Sequence, residues 1–201
     1  MSEVLQFVET LPPEEVARSN FYGLLARLFY APPDAALLQT LASASEIEAE
    51  EDAIASAWRA LREAALQADP AAVRDEYDTV FVGTGKSPVT LYACAYSIRY
   101  ASEAPLAALR ADLARLGLER REGVHEPEDH IATLCDAMRH LITVQARDLD
   151  EQRAFFERWI APAVGTLCAA IEAEPRTAFY RSVARFAKVF FDVERTAFEM
   201  H

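Results

Sequence analysis

Apolar residues recur along the chain at spacings of three and four, the period that lines one face of an α-helix. Phe21, Leu24, Leu25, Leu28 and Phe29 form the first such stripe. Pro12-Pro13-Glu14-Glu15 opens it, with prolines where a helix start has spare N–H groups and acids at the positive end of its dipole. Ala31-Pro32-Pro33 stops it, and a short helix is expected from Asp34. The acidic stretch 46–52 reads as a solvated face leading into a helix with Ile54, Trp58, Leu61 and Ala65. Asp69-Pro70 supplies an N-cap and first helical residue for a segment carrying Val73, Tyr77, Val80 and Phe81. Gly83-Thr84-Gly85 breaks that pattern, and residues 92–100 read as helical again. Leu106, Leu109, Leu113 and Leu116 then repeat up to Gly117, placed as a C-cap glycine.

The charged loop 118–125 divides the chain into an N-terminal helical part, 1–117, and a C-terminal helical part, 126–201. Ile131, Leu134, Met138, Leu141 and Ile142 form a long amphipathic helix, for which Pro127 reads as the first helical residue. Phe155, Phe156 and Trp159 belong to a helix before Pro162. Val164, Leu167, Cys168 and Ile171, then Phe179, Val183, Phe186 and Phe190, mark the last two.

Composition turns this pattern into a fold class. Six glycines leave few places for left-handed turns, and 38 alanines supply the strongest helix former. Sandwiches, barrels and doubly wound sheets need the opposite balance. The expected fold is all-α, a bundle of about nine or ten helices in two sub-halves around a hinge loop.

Twenty basic residues against 32 acidic ones give a net charge of −12. That field repels phosphate backbones and attracts cationic peptides, so nucleic acid is not an expected partner. Cys94, Cys135 and Cys168 form no CxxC pair and read as buried thiols in a reducing compartment. The first residues lack the basic and apolar regions of a secretory signal, and no uninterrupted apolar run approaches a membrane span. A cytoplasmic protein without stable membrane insertion is expected.

Two motif-like strings fail on spacing. Gly85-Lys86-Ser87 has Val80 where a phosphate loop needs glycine, and helix where it needs a strand. His125-Glu126…His130 spaces its histidines by five with Pro127 between, unlike the four that puts two zinc ligands on one helix face. No cofactor or metal is therefore expected. Two other segments carry more. Tyr77, Val80 and Phe81 form an aromatic stripe, flanked by Glu76 and Asp78. Glu126, Glu128, Asp129 and His130 gather carboxylates able to accept guanidinium forks, beside a histidine that donates or accepts. Taken alone, the first segment is an ordinary core stripe and the second an ordinary helix start.

Together, Glu76-Tyr77-Asp78-Thr79-Val80-Phe81-Val82-Gly83, Pro88, Tyr96 and Glu126-Pro127-Glu128-Asp129-His130 resemble the TorD/DmsD/NarJ group of redox-enzyme maturation chaperones. Val80 stands where that group often has leucine. The resemblance implies a TorD-like helical fold and no catalysis. It implies binding of the twin-arginine signal peptide, or the apo form, of a molybdopterin oxidoreductase, so that export waits for cofactor insertion. Its peptide-binding residues here are Glu76, Tyr77, Asp78, Val80, Phe81, Glu126, Asp129 and His130. Asp129 would accept from an arginine, His130 would orient it or a peptide carbonyl, and Tyr77 and Phe81 would wall the groove. The alternatives are a scaffold for the apoenzyme body without signal-peptide recognition, and a small helical enzyme using Asp129 and His130 as an acid–base pair. A homodimer, with domain exchange at 118–125, is open.

Overall fold

Proline and aspartate set the helix starts. Pro13 opens α1 (Pro13–Tyr30), and the Asp34 carboxylate accepts from the Leu37 amide at 2.8 Å to cap α2 (Ala35–Ala42). After α3 (Ala53–Gln67), Asp69 accepts from the Ala72 amide and Pro70 begins α4 (Pro70–Tyr77). The others are α5 (Cys94–Ser97), α6 (Pro105–Arg115), α7 (Ile131–Thr143), α8 (Leu149–Phe155), α9 (Ala161–Ala173) and α10 (Phe179–Glu199). The computed structural model describes residues 11–47, 53–83, 85, 87–97, 105–119, 126–145 and 147–200. Among these the secondary structure is helical, apart from one isolated antiparallel bridge between Tyr92 and His130.

α1 packs against α7 and α10, and α10 also covers α3 and α9. Tyr22, Leu25, Leu28 and Phe29 of α1 are buried with Leu134, Met138 and Leu141 of α7 and Phe186, Phe190 and Phe191 of α10. Phe21 meets Phe186 edge-on at 5.1 Å, and Tyr22 meets Phe190 at 5.0 Å, the geometry that aromatic quadrupoles favour. Each such side chain contributes about 1.5–3 kcal/mol by leaving water. The expected N-terminal and C-terminal parts thus share a core through α1. Of the 118–125 segment, Leu118 and Glu119 are described and 120–125 lie outside the described residues. Gly117 has φ +74°, and the Leu118 amide reaches back to the Leu113 carbonyl at 2.8 Å, as a glycine C-cap requires. Cys94, Cys135 and Cys168 are buried free thiols, each pushed up in pKa chiefly by burial.

Four local expectations change. Of residues 92–100, expected to be helical, Tyr92 stands in the bridge to His130, Cys94–Ser97 form the helix, and 98–100 lie outside the described residues. Pro162 does not end a helix. A π turn, Phe156–Ile160, carries α8 into α9 without a break, with the Ala161 amide bonding five residues back to Phe156. The wider turn makes room for a proline that has no N–H and would crowd the preceding carbonyls. The resulting rod, Leu149–Ala173, is long and apolar enough to cross a membrane, and its apolar residues Phe155, Phe156, Ile160, Val164, Leu167 and Ile171 are core. A second π turn, Asp78–Val82, extends α4 and closes on the Gly83 amide, which donates to the Asp78 carbonyl at 2.7 Å. The fourth change concerns α7, which starts at Ile131 and not at Pro127. Backbone bonds from Ala93 to Asp129 and from Ile131 to Leu91, both 2.8 Å, hold 129–131 extended beside 91–93.

Candidate functional site

Small and polar side chains leave a gap where α1 and α7 meet. Ser19, Asn20, Gly23, Ala26, Arg27 and Tyr30 share one face of α1, and Ala132, Thr133, Asp136, Ala137, Arg139 and His140 one face of α7. With Leu113 of α6 and Leu118, Glu119, Glu126 and Glu128 they line an open groove of about 840 Å³. Gly23 lets the Arg139 side chain lie close to α1: a Cβ there would stand 2.9 Å from its Cδ, and the arginine would have to shift. The groove carries the carboxylates of Glu119, Glu126, Glu128 and Asp136 against the guanidiniums of Arg27 and Arg139. Arg139 is itself paired with Asp136 at 2.8 Å. The balance is acidic.

Glu126 and Glu128 are aimed by their neighbours. The Tyr92 hydroxyl donates to Glu126 at 2.7 Å, and that bond pushes the phenol up to about 12. Arg110 of α6 donates through Nε to Glu128 at 3.0 Å. Both acids sit on the segment fixed by the 91–93 pairing, so the backbone bridge places them.

Of the eight residues expected at the site, Glu126 lines this groove and the other seven do not. Asp129 is buried, its carboxylate accepting from the Cys94 amide at 3.3 Å. His130 is buried too and caps α7, its Nδ1 accepting from the Ala132 amide at 3.2 Å. Val80 is fully buried, and Tyr77 and Phe81 pack edge-on at 5.2 Å with Tyr180 behind them. The stripe is core because α10 covers it. Tyr77 still reaches the site indirectly, donating to the carbonyls of Phe29 and Tyr30 at 3.0 Å, where α1 has spare acceptors. Glu76 accepts from the amides of Ala178, Phe179 and Tyr180 and so is committed to the start of α10. Asp78 is exposed on the π turn, away from the groove lining.

The residues that sequence reasoning missed, Ser19, Asn20, Gly23, Ala26 and Tyr30, do carry a signal. Of these Ser19, Gly23 and Ala26 are small and recur at four and three beside the apolar stripe of α1. A smaller hollow of about 290 Å³ lies between α6 and α8. Its Asp112 is already satisfied by Trp159 at 3.0 Å, Arg158 at 2.9 Å and Arg115 at 3.1 Å. Among the described residues no three His, Cys, Asp or Glu side chains converge as a metal would require.

The capping role of His130 has a pH consequence. Burial lowers its pKa from 6.5, while Glu126 and Asp129 oppose the shift. The fold thus prefers the neutral ring, and the unfolded chain protonates first as pH falls through 6.5. Stability is full above that pH and declines below it, until the folded-state pKa is passed. Urea midpoints at pH 7.5 and 5 will show this decline. His130→Asn, which keeps a capping acceptor, will flatten it.

A family model described as Nitrate reductase delta subunit matches residues 47–169, more than half of the chain. The chain belongs to the nitrate reductase delta subunit family. The match contains both motifs, Tyr77–Phe81 and Glu126–His130, and agrees with the TorD/NarJ-like resemblance and the all-helical bundle. No curated protein matches the chain. Membership carries a role in molybdoenzyme maturation, that of a chaperone whose partner is the catalytic subunit. The matched span includes α6 and α7 of the groove and leaves out α1, its other wall.

Proposed function

We propose that this delta-family chaperone works in the cytoplasm and binds the twin-arginine signal peptide of a molybdopterin oxidoreductase in the α1–α7 groove. The precursor would thereby be held from export until its cofactor is inserted. One observation supports the reading above others: an open groove with several small side chains in its lining also has the carboxylates of Glu126 and Glu128 there. A guanidinium fork needs such carboxylates, and a helical apolar segment needs a floor without bulky side chains. In this reading Asp129 and His130 act by fixing the bridge that carries those two acids. Tyr77, Val80 and Phe81 act by anchoring the end of α1 that bears Tyr30. The net charge of −12 speeds encounter with a basic peptide, most at low salt.

Calorimetric titration with a synthetic twin-arginine signal peptide and its twin-lysine version tests this. Binding is expected to weaken with the lysine pair and with added salt. Glu126→Gln is expected to cost tenfold or more, about 1.5 kcal/mol, with the thermal midpoint held. Equal binding by wild type and Glu126→Gln would remove the site assignment. No binding of any signal peptide to folded protein, with capture of the apoenzyme body, would replace the reading by the scaffold one.

A further inference from the structure

Tyrosine hydroxyls in this fold have internal partners, with one exception in the groove. Tyr22 donates to Glu194, Tyr92 to Glu126, and Tyr77, Tyr96 and Tyr180 to the carbonyls of Phe29, Thr90 and Leu28. Tyr30, the remaining described tyrosine, lines the α1–α7 groove at 59% exposure. Among the described residues its hydroxyl has no partner, no second ring meets it and no cation lies over it.

Its backbone is nonetheless held. The Tyr30 carbonyl accepts from the Tyr77 hydroxyl at 3.0 Å, and Ala31 leaves the helix extended, as a residue before proline does. The ring therefore hangs from a fixed point by two side-chain torsions, and little freedom is lost when something stacks on it. The opposite wall supplies charge. Asp136 of α7 is 59% exposed, and both Arg139 contacts go to its Oδ1, at 2.9 and 2.8 Å. Its Oδ2 has no donor among the described residues.

We propose that Tyr30 is a specificity-determining residue of the groove: its ring stacks on the flat guanidinium of a peptide arginine and so separates arginine from lysine. The proposal rests on the signal-peptide reading for its natural ligand, and the stacking itself is testable without one. A guanidinium is planar and weakly hydrated. It lies flat on an aromatic face and keeps its edge N–H groups for a carboxylate such as Asp136. A lysine ammonium is a compact, strongly hydrated charge and gains less from a ring this open to water. The carboxylates alone attract both.

The test compares wild type with Tyr30→Leu, which keeps apolar bulk without a π face, and Tyr30→Phe, which keeps the face without the hydroxyl. Twin-arginine peptide is expected to bind Tyr30→Leu about three- to tenfold more weakly than wild type. Twin-lysine peptide is expected to change by less than about twofold, so most of the arginine preference disappears. Tyr30→Phe is expected to bind both as wild type does. The three proteins are expected to share one thermal midpoint, because the side chain is exposed. In fluorotyrosine-labelled protein, the fluorine resonance missing from Tyr30→Phe belongs to Tyr30. L-argininamide is expected to shift that resonance, and L-lysinamide or sodium chloride at equal ionic strength to leave it in place.

An unchanged arginine-to-lysine ratio in Tyr30→Leu overturns the proposal. A loss in Tyr30→Phe equal to that in Tyr30→Leu overturns it too, and assigns the effect to the hydroxyl. If wild type prefers twin-arginine peptide but argininamide does not move the Tyr30 resonance, the stacking falls and the signal-peptide reading stands. Where no signal peptide binds but argininamide alone still moves it, the guanidinium site stands and the signal-peptide reading falls.

Discussion

Glu194→Ala will lower stability by about 3–5 kcal/mol, the largest effect expected of a single substitution here. Glu194 is 2% exposed in the C-terminal half of α10. Its two oxygens accept from Nε and NH2 of Arg18 at 2.7 and 2.8 Å, and Tyr22 donates to it at 2.9 Å. Arg18 keeps Glu15 at 2.6 Å, but after the substitution its guanidinium stays largely buried against the Phe198 ring with its main counter-charge gone. The Tyr22 hydroxyl, buried in the same place, loses its acceptor. The cost comes from those abandoned partners more than from the lost attraction. Replacing both ends, Arg18→Met with Glu194→Leu, should therefore recover the part due to Arg18 and leave the part due to the Tyr22 hydroxyl. Urea unfolding with an unchanged slope is the measurement. A loss under 1 kcal/mol, typical of exposed pairs such as Arg185–Glu172, would show that water reaches the cluster. Because Ser19 and Asn20 of the groove lie next to Arg18, the proposed peptide binding is expected to weaken with it.

Glu76→Ala will cost about 2–3 kcal/mol. α10 begins at Phe179 behind Ala178, which has no side chain able to cap it. Glu76 does this from α4, taking the amides of Ala178, Phe179 and Tyr180 at 3.0, 3.0 and 2.8 Å. One ordinary cap contributes about 1 kcal/mol. Three bonds to an ionised acceptor, at the positive end of a 21-residue helix, contribute more. Glu76→Gln keeps an acceptor oxygen but turns an NH2 toward donors, so it should lose about half as much. Thermal unfolding followed by circular dichroism separates the two variants. Equal midpoints for wild type and alanine would mean that water caps α10 as well.

How far the sequence could be read depended on whether a residue's partner was near in the chain. Asp34, Asp69, Pro13 and Gly117 act on amides or carbonyls within five residues, and their roles follow from local rules. The apolar stripes identify the buried faces of α1, α3, α7 and α10 for the same reason. Glu76 looks like a free surface acid until α10 arrives, 102 to 104 residues later. Asp129 and His130 look like a polar surface cluster until 91–93 pairs with them and turns both inward. The groove was hidden differently. Its floor consists of residues too small to stand out, and its character comes from two such faces meeting. The π turn at 156–160 was illegible because Pro162 signals a break in any local reading, and the helix survives only by widening.

The position of α1 also decides when the molecule can close. Its buried face rests on α7 and α10, so the first of the described helices is completed by the last of them. During synthesis Arg18 and Tyr22 leave the ribosome some 170 residues ahead of Glu194, the group that neutralises one and accepts from the other. For most of that interval α1 has an apolar face without its cover, and contacts so distant in sequence make for slow closure. A nascent chain thus has both walls of its groove once α7 has been made, before α10 makes α1 rigid.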